Sequence, residues 1–160
     1  MRTSARAALT VSLTSALAVS VGMADAGTAT ERFAVVTTTT HGKPVYSVVA
    51  TGAFTAGGTA TAPNKGTLIL RFSTGTITLR NAKQHRVLTK TNTSTACLQG
   101  MTASGSYLVV GGTGTYAGVS GSGHTTLHAT FVEDAVSGTC SDTFAAAQAS
   151  IVATGPIALP

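Results

Sequence analysis

The chain of 160 residues predicts an all-β fold, an eight-stranded antiparallel barrel, on three observations. Threonine supplies 30 residues and glycine 18. Threonine with valine and isoleucine suits pleated, half-buried surfaces, and glycine punctuates them. Charged residues are only 9% of the chain against 43% hydrophobic, which excludes both a disordered tail and a coiled coil. Short alternating runs recur between turn signals, while the i, i+3, i+4, i+7 spacing of an amphipathic helix is nearly absent.

The first 26 residues stand apart from this pattern. Arg2 and Arg6 give a positive start, Ala7 to Gly22 is apolar or small without charge, and Ala24-Asp25-Ala26 is a small-x-small cleavage site. Residues 1–26 are therefore expected to be a signal peptide cleaved after Ala26, leaving 27–160 as one secreted, extracellular barrel domain. No later window holds 18 apolar residues, so no helical membrane span is expected. Three Tyr and no Trp are too few for the aromatic girdles of an outer-membrane barrel, so a soluble barrel is expected instead.

Strands are predicted at Glu31–Thr39, Val45–Thr51, Phe54–Ala60 and Gly66–Phe72, the last with Leu68, Leu70 and Phe72 on one face. Gly75–Arg80 alternates cleanly, with Ile77 and Leu79 on one side and Thr76, Thr78 and Arg80 on the other. Gln84–Thr89 follows, then a polar loop through Asn92 and Cys97. Ser104–Val110, His124–Val132 and Phe144–Ala153 complete the set. Phe144–Val152 is alanine-rich and compatible with a helix, although Ile151 and Val152 lean to strand. Divided among eight strands, the 134 residues of 27–160 leave about 17 per strand and turn, and closure removes the two edges of an open sheet.

Export makes sense of Cys97 and Cys140, an even pair expected to form a disulfide rather than a metal site or a catalytic thiol. The net charge is +5, and no acid lies between Arg32 and Val132. Lys65, Arg71, Arg80, Lys83, Arg86 and Lys90 concentrate the basic charge, while Glu133, Asp134 and Asp142 follow later. The basic window could attract an anionic cell-envelope polymer, but the expected reading is solvated hairpin residues that keep a low-charge protein soluble. Nucleic acid is not an expected partner, because the window lacks interleaved aromatics.

His124 and His128 would pair on a helix, but on a strand they lie about 13 Å apart, too far to share one ion. Gly118-Val119-Ser120-Gly121-Ser122 approaches a nucleophile elbow without its final Gly or following helix. Ser120, His124 and Asp142 can be drawn as a triad, as in almost any chain. Asn92-Thr93-Ser94 is a glycosylation sequon. No metal site and no cofactor are expected.

The most distinctive segment runs from Gly105 to Gly123. Gly112-x-Gly114-x-x-x-Gly118 follows a strand, yet it leads into another Thr-rich strand and not the helix a dinucleotide site needs. Gly111, Gly112, Gly114, Gly118 and Gly121 are instead expected to build a tight corner, with Tyr116 packed over it. Gly-Gly-Thr-Gly-x-Tyr-x-Gly-x-x-Gly resembles the signature turn of the allene oxide cyclase/dirigent-like barrel superfamily, and is most similar to its small secreted actinobacterial members. Ala50 to Thr59 and Gly66 to Leu70 are similar in kind, so the resemblance covers most of Val45 to Val132. It implies an eight-stranded, calycin-like antiparallel barrel with a central cavity.

Activity does not follow from fold. The resemblance implies a buried carboxylate and a held water for the plant cyclase branch, and polar and acidic cavity residues for the dirigent branch. Glu31 is the only acid of the barrel domain before residue 133, and it begins the first strand outside any matching motif. The expected function is therefore a secreted, non-catalytic barrel that is filled with side chains or binds one small apolar ligand, with Leu68, Leu70, Ile77 and Leu79 lining the cavity. A cyclase or isomerase is the alternative, and it would need His85, His124 or His128 in place of the carboxylate.

Overall fold

The computed structural model describes residues 28–40, 43–93 and 96–160. Eight strands close into one antiparallel barrel in sequence order, β1 returning to pair with β8. They are β1 (Ala29–Thr40), β2 (Lys43–Thr51), β3 (Ala56–Asn64), β4 (Thr67–Phe72), β5 (Gly75–Thr93), β6 (Ala96–Gly114), β7 (Ser120–Val136) and β8 (Thr139–Ala158). The signal peptide and its cleavage after Ala26 lie outside the described residues.

Three expectations about the elements are corrected. Gly75–Arg80 and Gln84–Thr89 are one strand, β5, because the break between Asn81 and Gln84 is a register shift inside the β5–β6 ladder and not a turn. The expected loop through Asn92 and Cys97 is strand on both sides, with Asn92 paired to Cys97 and Thr93 to Ala96. A polar run reads as a loop, but backbone pairing between β5 and β6 continues through it. Ser94 of the sequon lies outside the described residues. Phe54 belongs to the turn before β3 and not to the strand itself. The alanine-rich run from Phe144 to Val152 is strand: β8 pairs with both β1 and β7 there, and two ladders outweigh alanine's local preference.

The barrel has a packed end and an open end. At the packed end lie the turn 52–55, the turn 73–74 and the glycine corner. Gly114 takes φ +62° there, and a Cβ on Gly112 would run into the Tyr116 carbonyl oxygen and come within 2.8 Å of Val119 Cγ1. Thr115 N–H donates to the Thr74 carbonyl at 3.0 Å and Val119 N–H to that of Tyr116 at 3.1 Å, so the corner satisfies its own backbone. Tyr116 is buried over it, its hydroxyl 3.3 Å from Thr74 Oγ1. Its ring meets Phe54 and Phe72 at centroid distances of 5.0 and 5.6 Å, and Phe54 reaches Phe33 at 6.2 Å. These four rings plug the barrel.

At the open end β5 to β8 run on beyond their neighbours. β4 pairs with β5 no further than Arg80, and β1 with β8 no further than Ala146. The disulfide Cys97–Cys140 ties this extension, joining the second residue of β6 to the second residue of β8 with a Cα–Cα distance of 5.3 Å. Closing a loop with a sequence separation of 43 restricts the unfolded chain by about 4 kcal/mol. A variant carrying both Cys97→Ala and Cys140→Ala should lose stability of that order in urea unfolding; an unchanged midpoint would show that the bond contributes no net stability.

Candidate functional site

Alternation along each strand decides what faces the barrel interior. At the packed end the inward positions hold Phe33, Val35, Leu70, Ile77 and Tyr107, all essentially without solvent exposure. Toward the open end the inward residues become smaller: Thr37, Ala62, Thr125, Ala149 and Ala153. The volume they leave is a cavity of about 550 Å³, walled by Leu68, Leu79, Leu127, Ile151 and Tyr46, with Asn64, Lys65 and Asn81 at its rim. The β2–β3 ladder stops at the pair Ser47–Thr59, although β2 begins at Lys43 and β3 continues to Asn64. Tyr46, Ala62 and Asn64 line the cavity at this gap in the wall.

Of the four expected lining residues, Leu68 and Leu79 line the cavity and pair with each other across β4 and β5. Leu70 and Ile77, the next inward pair, do not line it: both are completely buried in the layer beneath. The sequence reading missed Leu127, Ile151, Tyr46 and Thr37. Leu127 sits in the alternation Thr125, Leu127, Ala129, Phe131, which marked the strand but not which of its faces was inward.

Glu31, the acid that begins the first strand outside any matching motif, is fully buried at the packed end. Its Oε2 accepts the Phe54 N–H at 3.1 Å, while Oε1 has no partner. Burial pushes its carboxyl above the ordinary glutamate range, against a lowering by the backbone N–H groups of Phe54, Arg32, Ala53 and Thr51. Burial, and then the charge of Glu31, push the Tyr107 phenol up as well. Glu31 does not line the cavity. Phe33, the next inward residue of β1, pairs with Ala153 at the deep end of the cavity, so the packed layer stands between acid and cavity.

The other candidates are dispersed. His85, His124 and His128 are exposed on the outer wall, not inside, so none stands in for a cavity acid. His85 and His124 share a shallow polar groove with Ser104, Ser106 and Thr126. Ser120 pairs with Ala158 while Asp142 lies sixteen residues earlier on β8, on the order of 50 Å along the strand, so no triad forms. Among the described residues no group of three or more His, Cys, Asp or Glu could hold a metal ion. No helix there is long and apolar enough to cross a membrane. Of the basic window, Arg71 and Arg80 are exposed on the outside and Lys65 at the rim. The side chains of Lys83, Arg86 and Lys90 are outside the described set. No family model, curated protein or solved structure matches this chain.

The raised Glu31 pKa fixes a sign. A carboxyl that holds its proton more tightly folded than unfolded adds stability that is complete below the unfolded value and lost as pH rises through the folded one. Glu31→Gln cannot titrate. The difference in unfolding free energy between the natural protein and this variant should therefore shift against the natural protein as pH climbs from about 4 toward neutrality. Urea titrations at several pH values test it, and a constant difference would contradict it.

Proposed function

We propose that this protein is an exported, non-catalytic β-barrel that holds one small apolar molecule in its open end. The cavity carries this reading: about 550 Å³, walled chiefly by leucine, isoleucine, alanine and tyrosine, with the hydroxyls of Thr37 and Thr125 inside and Asn64, Lys65 and Asn81 at the rim. An eight-stranded barrel sits at the size where the interior packs shut or admits a single ligand, and here the two ends differ. The disulfide supports folding in an oxidising compartment, in keeping with an export signal at residues 1–26. The closed eight-stranded architecture is also what the resemblance of the glycine corner to allene oxide cyclase/dirigent-like barrels implies.

A cyclase or isomerase is the second reading, and the buried carboxyl of Glu31 favours it. Among the described residues, however, neither an acid nor a histidine lines the cavity, and Glu31 lies beyond Phe33. A general acid or base has to come within hydrogen-bond reach of the reacting atoms. The binding reading asks for no rearrangement of the packed end.

Two measurements test it. Native mass spectrometry of the exported protein should find a retained apolar molecule, together with the loss of residues 1–26. The fluorescent apolar probe N-phenyl-1-naphthylamine should bind the purified protein, and Leu127→Trp, which fills the cavity, should weaken that binding at least tenfold without lowering secretion. Equal binding by this variant would place the probe elsewhere and overturn the reading.

A further inference from the structure

The cavity opens to water on one side only of its described lining. On β7 and β8 that lining stops at Leu127 and Ala149. The next residue on that face of β7, Ala129, is buried, and so is Ala103, opposite Leu127 on β6. Among the described lining residues those that are exposed are Ala62, Asn64 and Lys65, all at the end of β3 or in the turn after it. The neighbouring walls are continuous at this height: β1 pairs with β2 as far as Thr40–Lys43, and β4 with β5 as far as Thr67–Arg80.

The sequence explains why the wall parts between β2 and β3. Four pairs join these strands, from Ser47–Thr59 to Ala50–Ala56. Beyond Ser47 and Thr59 both strands continue, and each reaches a proline, Pro44 on β2 and Pro63 on β3. Proline has no N–H to give to a ladder. β3 also shifts register against β4 between Thr61 and Asn64, and from Thr61 to Asn64 every residue is exposed, so the burial alternation of the strand ends at Ala60. The end of β3 thus leaves β2, and Tyr46 on one strand and Ala62 and Asn64 on the other border a slit that leads into the cavity.

Resting on the binding reading, we propose that this slit is the portal of the cavity: the ligand enters and leaves sideways between β2 and β3, and not past the β5–β8 extension. Widening the slit breaks no β2–β3 ladder bond among the described residues, because the ladder has already ended there. A route through either neighbouring wall would have to break paired backbone groups. A portal controls the rates of binding and release and leaves the affinity of the site behind it unchanged.

Stopped-flow binding of N-phenyl-1-naphthylamine tests this. Val45 and Thr61 are exposed, lie outside the lining, and would face each other if the β2–β3 register ran on. Val45→Cys with Thr61→Cys, bridged by bis-maleimidoethane, should bind and release the probe at least tenfold more slowly than the same variant capped with N-ethylmaleimide. Its Kd should stay within about twofold. Ser47→Cys with Thr59→Cys, bridged the same way where the strands are already paired, should keep the rates of its capped form. Unchanged rates in the bridged Val45/Thr61 variant would put the route elsewhere and overturn the portal, while the binding reading survives. A weaker Kd without slower release would mean a distorted cavity, and would also overturn it. If the natural protein binds no probe, both readings fall.

Discussion

Twelve consecutive residues of β1 pair with β8, from Ala29 with Ile157 to Thr40 with Ala146. That ladder turns a twisted sheet into a barrel and removes the edges that an open sheet would present along these strands. It also gives the alternation of every strand a single meaning, because one face is now an enclosed interior. A slip of one residue would exchange the two faces and put Glu31, Phe33 and Val35 on the outside. The seam is therefore what places the plug, the cavity and the buried acid. It is held by the chain's first and last strands, so it forms only from contacts far apart in sequence.

What the interior becomes depends on side-chain volume at successive depths. β1 presents Phe33 and Val35 before Thr37, while β8 runs Ile157, Gly155, Ala153, Ile151 and Ala149, with Ile151 forming part of the cavity wall. Large residues bury one another at one end. Threonine and alanine at the other end leave space that no inward side chain occupies. The cavity thus follows from the smaller inward residues Thr37, Ala62, Thr125 and Ala149 among its lining. The glycine corner belongs to the packed end, where close backbone approach lets Tyr116 meet Phe54 and Phe72.

Much of the barrel was legible from alternation alone. Ile77 and Leu79 against Thr76, Thr78 and Arg80 gave both the strand and its inner face correctly. Depth was not legible. Leu68 and Leu70 are chemically equal and two residues apart, yet one lines the cavity and the other lies under it, because depth depends on strand tilt and neighbours. The continuity of β5 was hidden for a local reason: a bulge and a turn interrupt alternation in the same way, and only the partner strand tells them apart. Polar composition similarly disguised Asn92 to Cys97, where pairing beyond the barrel wall needs no apolar face.

Glu31 shows most plainly how position sets the role of a residue type. A buried carboxylate is costly unless donors surround it, and the turn after β2 brings backbone N–H groups to it, with Phe54 N–H at 3.1 Å. The same turn carries the Phe54 ring into the plug, so the acid and the aromatic cluster hold one segment from two sides. Removing the carboxylate would strand those donors, and removing the ring would open the plug above the acid. A catalytic acid needs access to a substrate, and this one is shielded by the packing that its own hydrogen bond helps to fix. The scarcity of acids in the barrel and the burial of this one thus agree: its carboxyl serves the closed end, and the described lining of the open end carries no acid.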